Sequence, residues 1–151
     1  MSKLRLVEIS EDGRPDHSEI SRPDIAREFC RNAIDLYRSF GFYRPWVGYL
    51  AMLGSKVVGT CSFVGPPHNG VVEIESSTFP EFERRGVATS MVRALIFIAQ
   101  HDKQKPRVIA YSSPTPNPSN AVFRRLGFSF VGSIKLNDGL LWEWRLLENH
   151  A

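Results

Sequence analysis

Glu73 and Glu75 stand two residues apart in a run that begins Val71-Val72 and ends at Phe79. On a regular strand, residues i and i+2 share a face, so both carboxylates point the same way. A run this apolar at its start predicts a central strand, and a carboxylate there is costly to bury unless it is paired or used. Burial raises its pKa toward neutrality, into the range of a general base. An ion pair with a nearby Arg or Lys is the alternative. Further along, Arg84-Arg85-Gly86-Val87-Ala88-Thr89 lies between that strand and a helical pattern. Gly86 lets the backbone turn with no side chain in the way. The first amides of the helix then have no intrahelical acceptor and can face a ligand. The helix dipole and two arginines favour negative charge there, which makes the segment a phosphate cradle in composition and placement. The alternative is a strand-to-helix turn with a solvated charge pair.

The elements that must position these groups follow from hydrophobic period. Residues 3–9 alternate and predict a first strand, broken at Glu11-Asp12-Gly13-Arg14-Pro15. Ser21 has the chemistry of a helix N-cap, with Pro23 and Asp24 in the first turn. Ile25, Phe29, Ala33, Leu36 and Phe40 mark one helix face, ended by Gly41. Strands over 46–53 and 56–64 meet at Gly54-Ser55 in a hairpin. After a loop at Pro66-Pro67-His68-Asn69-Gly70 comes the glutamate strand, 71–79. Val87, Met91, Val92, Leu95 and Ile98 mark a second helix, and 107–112 a short strand. A loop with Pro114, Pro116 and Pro118 precedes a short helix over 119–126, stopped by Gly127. Strands over 128–136 and 140–147 form a last hairpin around Asn137-Asp138-Gly139. Alternation of the two periods predicts a mixed α/β (α+β) single domain over residues 1–151. The hairpins imply antiparallel pairing. The helical connection from the 71–79 strand to the 107–112 strand implies one parallel pair.

Residues 72–89 and the later Asn117-Pro118-Ser119-Asn120-Ala121-Val122-Phe123-Arg124-Arg125-Leu126-Gly127-Phe128 are separated by a helix and a strand. In that order they resemble two central motifs of the GNAT N-acetyltransferase superfamily, most of all its ribosomal-protein and aminoglycoside acetyltransferase branch. The resemblance covers roughly residues 46–147. It implies a mixed, mostly antiparallel sheet of six to seven strands flanked by helices, with the central parallel pair splayed apart. It also implies acetyl-CoA as the cofactor. The amides of Arg84, Arg85, Gly86, Val87, Ala88 and Thr89 would hold its pyrophosphate, and Ser77, Thr78 and Phe79 its pantetheine arm. Asn117, Ser119, Asn120 and Phe123 would flank it from the short helix, with the thioester in the gap between the parallel strands. The implied reaction is direct acetyl transfer to a primary amine, of a small molecule or a protein N-terminus. An alkylammonium of pKa ~10 must first lose a proton. Glu73 matches a glutamate often found at its position in the branch and ranks first as the base. Glu75, nearer the expected acetyl group, ranks second.

Three positions depart from the family pattern. Glu83 stands where a Gln or Arg usually precedes the glycine, which removes a favourable charge near the phosphates. Pro116 takes the place of an asparagine near the start of the short helix, with Asn117 beside it. Phe123 stands where a tyrosine is often the proposed acid for the leaving thiolate, so that role is excluded at this position. A thiol of pKa ~8.5 is a competent leaving group without it.

Composition bounds the rest. A chain of 151 residues with 42% apolar and 23% charged residues is one globular domain's worth, not a disordered segment. No apolar run approaches the ~20 residues that span a bilayer, so no membrane partner is expected. The first residues lack a secretory apolar stretch. Cys30 and Cys61 have no zinc or CxxC spacing and read as reduced thiols of a cytoplasmic protein. Cys61 as an acyl carrier is outweighed by a core role. His17, His68, His101 and His150 are scattered, and no metal site is expected. Tyr43, Trp46 and Tyr49 read as core residues with a share in the acceptor pocket, and Trp142 and Trp144 as packed on one strand face. Ser112 and Ser113 end their strand, against acceptor or solvent.

Two other functions compete. A catalytically weak acyl-CoA-binding or sensing domain is motivated by Phe123 and Glu83. A nucleic-acid module is motivated by a net charge of +3 and the pairs Arg84-Arg85 and Arg124-Arg125. Both pairs fall in segments that the cofactor already explains, so no nucleic acid is expected. Acceptor specificity is assigned to 39–46 and the last hairpin, and the edge of the closing strand allows a homodimer.

Overall fold

The computed structural model describes residues 3–16, 22–115, 117–137 and 139–146. Ser21, Pro116, Asp138, Leu147, His17 and His150, which carry expectations above, lie outside the described residues. In chain order the elements are β1 (Arg5–Glu8), α1 (Asp24–Phe40), β2 (Gly48–Leu53), β3 (Lys56–Phe63), β4 (Val71–Thr78), α2 (Val87–Gln100), β5 (Arg107–Ser112), α3 (Pro118–Arg125), β6 (Phe128–Leu136) and β7 (Gly139–Leu146). A single 3-10 turn, Pro80–Phe82, follows β4.

The strands form one seven-stranded sheet in the order β1-β2-β3-β4-β5-β7-β6. Neighbours pair antiparallel except β4 and β5, which are parallel. α2 makes the crossover between them, as a parallel connection requires. α1 covers the face that carries Gly48, where Phe29 and Tyr37 lie nearest. α2 covers the opposite face, where Met91 sits over Gly59. Gly48 pairs with Ser62, and Ser62 with Glu75. Directly paired residues share a face, so Glu75 and Glu73 lie on the α1 side.

The buried stripe of α1 differs from the expected one. Ala26, Cys30, Ala33 and Tyr37 are buried, whereas Ile25 and Phe40 are 52% and 48% exposed. Small residues bring this helix close to the sheet. Tyr37 is drawn inward by its hydroxyl, which donates to Ile9 O at 2.7 Å and accepts from Gly48 N at 2.9 Å. Trp46 and Tyr49 pack edge-on against Phe63, but Tyr43 is exposed. Cys30 and Cys61 are free and buried. Burial pushes the Cys61 thiol well above its ordinary value, which keeps it protonated and unreactive. No helix among the described residues is long and apolar enough to cross a membrane.

Gly59 lies where β4 and the Met91 side chain of α2 both crowd β3. A Cβ there would lie 2.7 Å from Ser77 O and 3.1 Å from the Met91 side chain. Met91 can move, but the Ser77 carbonyl is β4 backbone. Gly59→Ala is therefore expected to cost ~1–3 kcal/mol, the range for an overpacked core. The midpoint of urea unfolding measures it. An unchanged midpoint would mean that β4 yields freely at this point.

Candidate active site

β4 and β5 pair from Val71↔Arg107 to Ile74↔Ala110, and there the pairing stops. Beyond it, residues 75–78 of β4 pair only with β3, and Tyr111 and Ser112 only with β7. The sheet thus opens into a fork at its centre. Glu75, Ser76 and Ser77 are exposed for this reason, although they sit in a middle strand. Continuing the register by one residue sets Tyr111 across from Glu75, at the point where the strands part.

A cavity of about 660 Å³ lies on one side of the fork. Ser76, Ser77 and Thr78 of β4, the turn into α2, and Pro118, Ser119, Ala121, Val122 and Arg125 of α3 form its wall. The turn is made by two left-handed residues, Arg84 (φ 65°) and Gly86 (φ 79°), on either side of Arg85. Gly86 is the N-cap of α2, and Ser90 N is the amide that donates to its carbonyl, at 3.0 Å. The amides that precede Ser90 have no carbonyl of their own in the helix. Gly86, Val87, Ala88 and Thr89 line the cavity, so the start of α2, where these donors lie, forms part of its wall. Arg84 and Arg125 bring two cations to the wall against the one anion of Glu83. Arg125, placed by its sequence in the cofactor segment but not among the residues expected to bind, offsets the charge that Glu83 introduces. The Arg85 guanidinium lies 5.7 Å from the centre of the Phe82 ring, a wall residue, and Arg85 itself does not line the cavity. Thr78 Oγ1 is buried without a hydrogen-bond partner in the wall. Free amides, surplus positive charge and an orphaned hydroxyl fit a ligand with both phosphate and amide groups.

A second cavity, of about 420 Å³, holds Glu73, Glu75, Tyr111, Ser112, Ser113, Asn117, Leu136 and Leu141. Ser119 lines both cavities, so they meet at the N-terminal turn of α3. Among the described residues neither Glu73 nor Glu75 forms an ion pair. Glu143, on the same face, is held by Arg145 at 2.7 Å. Burial, and then the charge of Glu75, push the Glu73 carboxyl up to about 7. Partial desolvation by the walls of the cavity raises Glu75 as well, although its side chain still reaches solvent. Tyr111 is raised by burial and by the charges of Glu143 and Glu73, so its phenol keeps its proton. No group of three metal-ligating side chains occurs among the described residues.

The expected site residues therefore divide. Ser77, Thr78, Arg84, Gly86, Val87, Ala88, Thr89 and Ser119 line the larger cavity, and Glu73, Glu75 and Asn117 the smaller. Phe79, Arg85, Asn120 and Phe123 line neither. Phe79 is buried, and its amide closes on Val58 O at 3.0 Å. Phe123 packs on Phe128 and Trp144. Asn120 is buried, and its side chain bonds Ser112 and Thr115. Asn117 caps α3 by accepting from Asn120 N at 3.0 Å, one residue after the asparagine that Pro116 replaces. Residues 39–46, expected to shape acceptor binding, are absent from the smaller cavity's wall, whereas the last hairpin contributes Leu136 and Leu141. Tyr111 escaped the sequence reading, because a tyrosine in a strand is ordinary.

A model of the acetyltransferase (GNAT) domain family matches residues 8–129. Comparison with curated proteins returns no match. Among solved structures, RimL, the ribosomal L7/L12 alpha-N-protein acetyltransferase, in complex with coenzyme A aligns with a TM-score of 0.70 at 18% identity, over 96% of this chain and 94% of that one. The Salmonella typhimurium acetyl transferase that modifies the N-terminal serine of 50S ribosomal subunit protein L7/L12 aligns with a TM-score of 0.71 at 17% identity, over 99% and 97%. The microcin C7 self immunity acetyltransferase MccE, in complex with acetyl-CoA and AMP, aligns with a TM-score of 0.66 at 16% identity, over 87% and 74%. These likenesses concern the fold, and the family match extends over most of the sheet, the cradle and the fork. The chain belongs to the GNAT acetyltransferase family.

Proposed function

We propose that this chain transfers the acetyl group of acetyl-CoA directly to a primary amine, with Glu73 as general base. One observation carries the reading: a carboxyl poised near neutrality stands just before the fork, in a polar cavity that meets a second one walled by the start of α2 and by Arg84 and Arg125. Coenzyme A and acetyl-CoA in the RimL and MccE complexes, which share the fold, support the choice of donor. Acetyl-CoA supplies an activated acyl carbon and a thiolate leaving group.

The chain's own groups supply the rest. The amides at the start of α2, with Arg84 and Arg125, hold the phosphates. The free edge of β4 at residues 75–78 offers hydrogen bonds to the pantetheine arm, as an edge strand does to an extended ligand. Glu75 and Glu73 draw the acceptor ammonium into the smaller cavity. Ionised Glu73 takes the proton, directly or through a water. The nitrogen bonds to the acyl carbon as the C–S bond breaks, and the thiolate leaves with the bonding pair. Phe123 has no proton to give, and the thiolate needs none from α3. Holding both reactants in one fork supplies the proximity term, and no covalent enzyme intermediate is needed. The acceptor is a small-molecule amine or a protein N-terminus.

Glu73→Gln is expected to leave acetyl-CoA binding intact and to lower turnover on an amine panel by ~10²-fold or more, the usual scale for loss of a general base. For the parent, kcat/KM should rise as the pH passes through about 7. Turnover that survives in Glu73→Gln would move the base to Glu75. Binding of acetyl-CoA with no turnover on any amine would favour an acyl-CoA sensor.

The same substitution has a signature in stability. The folded pKa of Glu73, about 7, lies above the ordinary value of 4.5, so the folded state holds the extra proton. Its contribution to stability is full below the unfolded pKa and is lost as the pH rises through the folded one. Glu73→Gln should therefore unfold at a higher temperature than the parent at about pH 8, with little difference at about pH 4. Equal melting temperatures at both values would contradict the burial of this carboxyl.

A further inference from the structure

The fork is an unusual state for two neighbouring parallel strands. Past Ile74 and Ala110 each strand has an inner edge of backbone donors and acceptors with no partner across the gap. Zipping the strands together would satisfy those groups and close the sheet. Something must hold the tip of β5 away from β4.

The tip is tied on its other side. Ser112, the last residue of β5, donates its hydroxyl to Asn120 Oδ1 at 2.5 Å and accepts from Trp144 Nε1 at 2.9 Å. Asn120 Nδ2 donates to Thr115 O at 2.7 Å. Asn120 N donates to Asn117 Oδ1, so the same residue also anchors the cap of α3. Ser112, Asn120 and Trp144 are 7%, 5% and 0% exposed. The two bonds of the Ser112 hydroxyl are buried, so water does not compete for them, and breaking one leaves a buried polar group unpaired. Asn120 adjoins Ser119, which lines both cavities, so the tie also sets where the wall of α3 stands.

We infer that Asn120 is a positioning residue: through Ser112 and Trp144 it latches the tip of β5 to β7 and α3 and so keeps the fork open for the cofactor. Asn120 touches neither cavity, and its effect reaches the ligand through the width of the gap. The inference rests on the reading of the larger cavity as the acetyl-CoA site. Its primary measurement does not.

Hydrogen exchange separates a latch from a merely structural bond. Asn120→Leu keeps the volume and removes both side-chain bonds. Trp144→Phe keeps a ring and removes only the indole donor, as a milder second variant. Each is compared with the parent well below its melting temperature. A lost latch lets the strands zip, so the fork-facing amides of residues 75–78 and of Tyr111 and Ser112 should become more protected. A fork open in about a tenth of the molecules raises the apparent acetyl-CoA dissociation constant about tenfold. Faster exchange across the region with unchanged affinity would reduce Asn120 to a structural bond and overturn the inference. Unchanged exchange in both variants would overturn it as well. Absence of acetyl-CoA binding by the parent would count against the cofactor reading alone, because the exchange result still decides the latch.

Discussion

Two parallel strands that pair for four residues and then part set the terms for the rest of this molecule. A backbone edge in the middle of a sheet ordinarily finds a neighbour, since buried donors and acceptors left alone cost free energy. Here the missing partner leaves room for an extended ligand to take the neighbour's place. The elements around the gap follow from that constraint. α2 must cross over because the strands are parallel. Its N-terminus therefore opens beside the end of β4, where a polar ligand meets free amides. α3 and the last hairpin close the far side of β5.

The electrostatics answer to the same geometry. Glu73 and Glu75 would be costly in a sealed central strand, but both line a cavity, Glu73 in the last paired stretch before the fork and Glu75 where the strands part. Burial and the neighbouring charge push Glu73 to about 7, so at neutral pH a substantial fraction is ionised and able to take a proton. At the other end, Arg84 and Arg125 outweigh Glu83. One fork thus carries opposite charge at its two ends, suited to a phosphate at one and an ammonium at the other.

Much of this was legible in the sequence, and the exceptions have identifiable causes. Strand periodicity and the hairpin signals located the sheet to within two residues, because one-sided burial imposes a period of two. Glu73 and Glu75 stood out because charge interrupts an apolar run. The face of α1 was misjudged, because hydropathy weighs Ile25 and Phe40 above Tyr37, whereas two distant backbone partners bury the tyrosine. The motif of α3 drew Asn120 and Phe123 toward the cofactor. In the fold Phe123 packs on Phe128 of the same motif and on Trp144 of β7, and only the second of these contacts lies beyond what the motif itself contains. Tyr111 and Arg125 gain their meaning only from what stands across the gap from them.

The central claim is that this fork is built to hold acetyl-CoA, and calorimetric titration of the purified protein tests it most directly, with CoA and ATP as controls. The account predicts micromolar binding of acetyl-CoA and CoA, and weaker binding of ATP, which has phosphates for the cradle but no pantetheine arm for the edge of β4. Affinity for acetyl-CoA no better than millimolar, or no better than that for ATP, would contradict it.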